Sequence, residues 1–533
     1  MLVMRSFLVL TYFFAAHALP PPSPVRCNDS GCTITNSYGV WGDRKDCAAS
    51  AVVYPTTEEE LRLAVAEAVK NQFKVKTVSG TSHTMPKFAC PGYAGEKSML
   101  ISTAKLNNGI EVDAAAMTVI ADAGVGLRDL IDSVEEEGLS LVASPYWDGV
   151  SLGGLISTGA HGSSWWGKGG AVHDHVVMLS LEPAFKRSIT NYFKSDSQFE
   201  EIFTDHARQH EFADITWYPS QHVAVFRADD RVPINSSGDG RNDFLGFQPQ
   251  NIVVSASVRA SEKALESSRD IKGKCTMAAG VVAFKKLVAN GLKNNKLIFT
   301  GYPVVGQQGK MQASGSCARS SSADILTTCA WDPRIKGLLF YETTAIFPAS
   351  KFQDFIKDVK TLRNLKPENF CGVDLYNGFL IRFIKASEAY LGQPQDSVVV
   401  DFNYYRADDA SIPRLNQDVW EEVEQMAFFK YAAKPHWAKN RNVAFMDVKN
   451  KYPNFDKFIA LKEQLDPRNT FSSKESDALL NGTKELKSNG CALEGLCICS
   501  EDRHCSPEEG YFCRPGLVYR EARVCRYIMS SVA

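Results

Sequence analysis

The sequence predicts an α+β protein of two substantial domains followed by a small Cys-rich disulfide tail. Three observations point there. The chain has 533 residues, more than one ordinary domain holds. Strand-like and helix-like segments alternate from residue 51 to beyond residue 420, with glycine-rich and small polar loops between them. Six of the 14 cysteines, Cys491, Cys497, Cys499, Cys505, Cys513 and Cys525, crowd the last stretch, which is too short to build a large core.

At the N-terminus, Arg5 precedes the apolar run Phe7 to Phe14, and Ala16-His17-Ala18 supplies small residues in an A-x-A pattern. This is the pattern of a secretory signal peptide over residues 1–18, and Pro20, Pro21, Pro22 and Pro24 stop any helix from continuing. The apolar run is too short to span a bilayer, so a soluble, secreted, extracellular protein starting near Leu19 is expected. An even cysteine count suits that oxidising route, as do three N-glycosylation sequons at Asn28, Asn235 and Asn481. Hydrophobic residues at 44% and charged residues at 23% describe a soluble globular chain. The formal charge of -2 gives no electrostatic reason to expect nucleic acid or an anionic membrane as partner. The short cluster Phe185-Lys186-Arg187 reads as a solvated strand end.

The first domain is expected from about Asp46 to Ser180. Ala51-Val52-Val53-Tyr54 reads as a strand, and Pro55 to Glu60 opens a helix with a threonine cap, an acidic first turn and apolar Leu61, Val65, Ala68 and Val69 at helical spacing. Strands follow at Val75 to Val78 and Met117 to Ala121, then a helix from Leu127 to Glu136 and a glycine-rich block between Gly149 and Gly170. The second domain is expected from about Leu181 to Ser472. It has strand-like runs at Ile252-Val253-Val254, Leu338 to Tyr341 and Ser397 to Val400, and helices over Ser350 to Leu362 and Gln417 to Ala427. Asp466 to Phe471 closes it, and residues 490–533 form the tail.

The dinucleotide fingerprint G-x-G-x-x-G is missing, because Gly124-Val125-Gly126 lacks its third glycine. A P-loop is missing too, because Gly167-Lys168 is followed by glycine. Two other loops stand out. One is Ser79-Gly80-Thr81-Ser82-His83-Thr84, directly after a strand; the other runs from Gly149 through Ser151, Gly153, Gly154, Ser157, Thr158, Gly159, His161 and Gly162 to Ser164. Small residues let a ligand approach the backbone closely, and consecutive N–H groups with serine and threonine hydroxyls can hold a pyrophosphate. Two tight turns that need glycine would give the first loop equally well; the length and glycine density of the second favour a ligand. His173-x-His175 has no third ligand at metal spacing and reads as flanking a strand, so no metal is expected.

These two loops resemble the PCMH-type FAD-binding domain of vanillyl-alcohol-oxidase-type flavoproteins. More narrowly, the chain is similar to plant L-gulonolactone oxidase-like proteins of the aldonolactone oxidoreductase family, through Asn36-Ser37-Tyr38-Gly39, both loops, Glu211 to Pro219, Pro435-His436-Trp437-Ala438-Lys439 and Leu465 to Phe471. The resemblance covers nearly the whole mature chain. It implies an FAD domain of two α+β lobes and a substrate domain whose strands cover the flavin. His83 matches the histidine that is covalently joined to flavin in many members, although Ser82 stands where those usually have glycine. The second-loop residues match the other FAD contacts. Lys439 matches a lysine beside flavin and substrate, where a fixed cation stabilises charge on the reduced ring. Arg382 matches a substrate-binding arginine, and a glutamate of galactonolactone relatives is replaced by Leu380. His436 would orient the substrate or accept its hydroxyl proton; a packed structural histidine is the alternative.

The reaction implied is hydride transfer from C2 of L-gulono-1,4-lactone or a similar aldono-1,4-lactone to flavin, giving ascorbate, with oxygen or another electron acceptor regenerating the cofactor. Ala123 stands where oxygen-using members often have glycine, which tilts the expectation towards another acceptor. Between Ser180 and Leu181 the chain lacks a strand–helix–strand segment that family members carry. That departure supports a rival reading: a flavin-deficient secreted paralogue or binding protein of the same fold.

Overall fold

A computed structural model describes residues 25–34, 47–79, 89–142, 144–167, 170–176, 179–238, 240, 252–288, 303–311, 340–439, 441–481 and 487–528. The expected signal peptide and the loop from Gly80 to Thr84, with His83, lie outside the described residues.

Among the described residues, a small sheet of Val25–Asn28, Gly31–Ile34 and Cys47–Ala49 precedes the two sheets that form the body of the first domain. Strands β1 (Ala51–Val53), β2 (Lys74–Val78) and β3 (Ser98–Ser102) form a parallel sheet in the order β1-β3-β2. Helix α1 (Glu58–Lys70) starts where the sequence puts it: the Thr57 hydroxyl accepts from the Glu60 N–H, and the Glu60 carboxylate accepts from Thr56 in return. Strands β4 (Ile110–Asp113), β5 (Thr118–Ala121), β6 (Leu139–Leu141) and β7 (Leu179–Pro183) form an antiparallel sheet in the order β4-β5-β7-β6. Helix α2 (Leu127–Glu136) buries Leu127, Leu130, Ile131 and Val134 in that lobe. These sheets are the two expected lobes. Strand β7 changes partner along its length. Leu179 and Ser180 pair with β5, whereas Leu181, Glu182 and Pro183 pair with β6. The change falls at the junction where the resemblance expects an additional segment.

The second domain is built on one antiparallel sheet of eight strands. They are β8 (Lys186–Ser195), β9 (Asp214–Tyr218), β10 (Val223–Val232), β11 (Val304–Gln307), β12 (Phe340–Pro348), β13 (Phe379–Ile384), β14 (Ser397–Tyr405) and β15 (Lys434–Pro435). Their spatial order is β11-β8-β10-β9-β13-β14-β12-β15. One face carries the main core, in which Phe199, Phe226, Phe347, Phe352, Phe355, Phe379 and Phe402 are buried. Helices α3 (Phe199–Gln209), α4 (Ala349–Leu365) and α5 (Gln417–Gln425) pack on that face, and α5 continues as a π-helical turn to Lys430. Leu479 and Leu480 also enter this core, so the packed domain continues beyond the boundary expected at Ser472.

Two expectations fail. Ile252-Val253-Val254 is no strand but the first turn of a helix, Ile252–Ser267, whose later turns are rich in strong helix formers, Arg259, Ala260, Glu262, Lys263, Ala264 and Leu265. Arg187 is not solvated. It is buried with Phe185, its guanidinium bonds both oxygens of Asp229 at 2.9 and 2.5 Å, and it lies 4.4 Å from the Phe212 ring centroid.

The tail is stapled by Cys491–Cys497, Cys499–Cys513 and Cys505–Cys525, and it docks on α5. Backbone N–H groups of Leu517, Val518 and Tyr519 all donate to Glu422, the Cys525 N–H donates to Glu421, and Arg526 pairs with Asp418. Just before the tail, the segment from Asn469 to Ser476 closes over β2. The Val75 N–H donates to the Thr470 carbonyl at 2.7 Å, and Lys74 and Lys76 reach Ser472 and Ser476. Among the described residues no helix is long and apolar enough to cross a membrane.

Candidate functional site

Strand alternation divides the side chains of β12, β13 and β14 between two faces. Tyr341, Ala345, Phe347, Phe379, Ile381, Phe383, Val398, Val400, Phe402 and Tyr404 enter the core. The opposite face begins with an apolar patch, Ile346, Ile384 and Val399, packed on Ala171 from the glycine-rich block. One step further along the strands it turns polar: Glu342 and Thr344 on β12, Arg382 on β13, Asp401 and Asn403 on β14.

The glycine-rich block is fixed to this face. The Ser164 N–H donates to the Phe383 carbonyl at 2.8 Å, the Ser163 hydroxyl accepts from the Phe383 N–H at 2.9 Å, and the Trp165 indole donates to the Ser397 carbonyl at 2.9 Å. Gly170 needs to be glycine, since a Cβ there would lie 2.3 Å from Ile384 and 2.4 Å from the Lys385 nitrogen. His161 thereby meets His436, with ring centroids 5.3 Å apart.

Backbone contacts set both imidazole tautomers. His161 Nδ1 is 2.7 Å from the Gly162 carbonyl, which can only accept, so Nδ1 carries the proton and Nε2 keeps its lone pair. His436 Nδ1 accepts from the Ala438 N–H at 3.1 Å, so its proton sits on Nε2. Burial, opposed by the Gly162 hydrogen bond but joined by the charge of Arg382, pushes His161 down to about 3. Burial, His161 and the cations Lys439 and Arg382 likewise hold His436 well below the ordinary range. Both rings are neutral at physiological pH.

Arg382 donates to Asp401 at 2.8 Å, and the other Asp401 oxygen accepts from the Thr344 hydroxyl. Burial works to raise the Asp401 carboxyl, but Arg382, Lys439 and Thr344 outweigh it and leave it below its ordinary value. Lys439 Nζ lies 3.3 Å from Glu342, and its N–H donates to the His436 carbonyl at 3.2 Å. Arg382, His436, Lys439 and His161 therefore form one cluster. Asp401, Thr344, Glu342 and Asn403 belong to it and were not among the sequence candidates. Their signal was available: each is a polar residue in a strand otherwise buried on both faces.

The two glycine-rich loops also meet. Ser79 and Ser151 share a short hydroxyl–hydroxyl hydrogen bond, and Ser151 caps the short helix Leu152–Ser157 through the Gly154 N–H. Gly153 donates to the Ala123 carbonyl at 2.8 Å, and a Cβ at Gly153 would stand 3.3 Å from the exposed Ala123 methyl. Gly159 has φ +67°, a left-handed position that favours glycine. The hydroxyls of Ser157 and Thr158 turn back onto the carbonyls of Gly153 and Gly154. Gly149 lies against the Trp147 ring. His173 is tied to Ser387 at 3.2 Å and anchors the block's return.

These residues fit a flavin nucleotide. The paired loops bring hydroxyls and glycine backbone together, and two buried polar atoms between block and sheet, His161 Nε2 and Arg382 Nε, have no hydrogen-bond partner.

Comparison with known proteins agrees with that geometry. The family described as FAD binding domain matches residues 49–181, D-arabinono-1,4-lactone oxidase matches 339–478, and L-gulonolactone oxidase 2-like, C-terminal domain, matches 488–527. The chain is 55% identical to L-gulonolactone oxidase 3 of Arabidopsis thaliana, covering 99% of this chain and 98% of that protein. It is 42% identical to L-gulonolactone oxidase 2 of the same plant, covering 97% and 96%. The first alignment spans 578 positions against 533 residues here, so that relative holds residues with no counterpart in this chain. A solvent-stable cholesterol oxidase shares the fold, with a TM-score of 0.61 at 15% identity over 87% of this chain and all of that one.

Proposed function

The chain belongs to the L-gulonolactone oxidase family of FAD-dependent aldonolactone oxidoreductases, and from that premise we propose that it oxidises L-gulono-1,4-lactone, or a close aldono-1,4-lactone, at C2 to give ascorbate. The observation that carries this reading is the polar patch of Arg382, Lys439, His436, Asp401 and Asn403 on the sheet face that the glycine-rich block covers. Bound FAD supplies the two-electron acceptor for the hydride leaving C2. Gly80, Thr81, Ser82, His83 and Thr84, with Ser79 and the residues from Gly149 to Gly162, would hold it, and His83 would tether it.

The chain's own groups bind and orient. Arg382, held in place by Asp401, offers its unpartnered Nε–H to a lactone oxygen. Lys439, 3.3 Å from Glu342, adds a cation to the cluster that would stabilise negative charge developing on the reduced flavin. Of the two roles left open for His436, the geometry supports orienting: its Nε2–H donates, and its Nδ1 lone pair is already occupied by Ala438. His161 Nε2 is the free acceptor beside it. Synthesis through the secretory route, cleavage near Leu19 and glycosylation at the sequons complete the proposal.

Purified protein from a secretory host should be yellow, and L-gulono-1,4-lactone should bleach it without oxygen. A colourless folded preparation that stays colourless in excess FAD would favour the rival, a flavin-deficient paralogue. The partner change along β7 and the longer relative are the observations behind that rival. His83→Ala should abolish the flavin fluorescence that stays with the denatured chain on a gel.

A further inference from the structure

We propose that this site selects the neutral, ring-closed lactone and rejects its hydrolysed, open-chain aldonate, and that Asp401 and Glu342 set this selectivity. The inference rests on the lactone reading of the site and adds the charge class of its ligand.

The cluster contains two cations and two carboxylates, already matched. Arg382 pairs with Asp401 at 2.8 Å and Lys439 with Glu342 at 3.3 Å. The remaining polar members, Thr344, Asn403, His161 and His436, carry no charge, the histidines because burial and the neighbouring cations keep protons off them. The charged groups behind the cluster are paired off as well. Asp214, which stands across from Arg382 on β9, binds Arg227 at 2.6 Å; Arg227 also contacts Asp229, and Asp229 holds Arg187. Tyr376, which feels the Glu342 charge, stays protonated, since burial above all, with that charge adding to it, raises it well above its ordinary value.

An anion entering this patch finds no unmatched cation. To pair with Arg382 or Lys439 it must approach Asp401 or Glu342 as well, at low dielectric, where like charges in proximity are costly. A neutral polyol ring meets unpartnered hydrogen-bonding atoms instead: Arg382 Nε, His161 Nε2 and the Asn403 carbonyl oxygen. The position of Asp401 strengthens the point. It lies directly across the strand pair from Leu380, between β13 and β12, and bonds residues on both. One carboxylate thus cancels the guanidinium charge while leaving its Nε–H directed elsewhere. A lactone and its aldonate interconvert by ring hydrolysis, so a site that met both would need such a filter to bind only the ring.

The test uses FAD-loaded protein, reduced and kept anaerobic so that no turnover consumes ligand. It is titrated by calorimetry with L-gulono-1,4-lactone and separately with sodium L-gulonate. The wild type should bind the lactone at least about tenfold more tightly than the gulonate. In D401N and in E342Q the gulonate should gain at least about tenfold relative to the lactone, because an unmatched cation is exposed. Asparagine and glutamine keep the shapes and most hydrogen bonds, and an unchanged flavin spectrum identifies a folded variant. Equal binding of the two ligands by wild type, binding of neither, or a ratio that folded variants leave unmoved overturns the proposal. Bleaching of oxidised protein by lactone reads the oxidation itself. A selective site that never bleaches would therefore remove the oxidation reading and leave the charge filter standing.

Discussion

Lys439 is the residue on which the chemistry should depend most. Replacing it by methionine keeps the stem's packing and removes the cation, so kcat/KM for the lactone should fall by about 10²- to 10³-fold. Steady-state assays on protein with an unchanged flavin spectrum measure this; a loss of less than threefold would contradict the role. Ala123 makes a second test. Its exposed methyl faces Gly153 in the second glycine-rich loop; if that loop holds FAD as proposed, Ala123→Gly should speed reoxidation of the reduced protein by air, as followed by stopped-flow absorbance. Equal rates would show that the methyl blocks nothing. At this level the sequence told much. Lys439, His436 and Arg382 sit in recognisable motifs, and the structure brings them together. Asp401 is marked in the sequence only as a polar residue in a buried, valine-rich strand; its pairing with Arg382 at 2.8 Å, diagonal to the Leu380 it faces in register, is visible only in the fold. The His436 tautomer was also illegible, since a backbone N–H sets it.

Among the elements, the short helix Cys371–Tyr376 carries a buried carboxylate, Asp374, that has no part in the site. Burial pushes its carboxyl up to about 8 even though the Ser220 N–H and hydroxyl donate to it. The folded chain therefore holds a proton that the unfolded chain releases near pH 4. This contribution to stability is complete in acid and is lost as pH rises through about 8. Asp374→Asn preserves the acceptor for Ser220 and removes the titration, so its Tm at pH 8 should exceed that of wild type by on the order of a few degrees. Parallel melting curves from pH 5 to 8 would count against it. Element positions were mostly readable from periodicity: α2 spans the residues expected, and α1 starts at the expected cap. The failure at Ile252 has a physical cause, because a three-residue β-branched run fits a helix turn as well as a strand, and only the following residues decide.

For the whole molecule, the Cys-rich tail acts as a structural partner of the substrate domain. Its backbone N–H groups satisfy Glu421 and Glu422, two buried carboxylates of α5. Ending the chain after residue 487 should strip those carboxyls of their backbone donors and uncover the face of α5 on which the tail docks, and the truncated protein should aggregate. Size-exclusion chromatography checks this; a monodisperse truncated protein with full flavin would refute it. Cysteine crowding announced the tail, but its docking was unreadable, because backbone amides from a distant segment leave no mark in composition. A related long-range contact governs how the protein is born. Strand β2, which leads into the Ser79 loop, has its outer edge closed by Thr470 and its lysines held by Ser472 and Ser476. A strand made early in translation thus waits for a segment made almost last. While the ribosome is still at work, the nascent flavin lobe therefore stands open along one side.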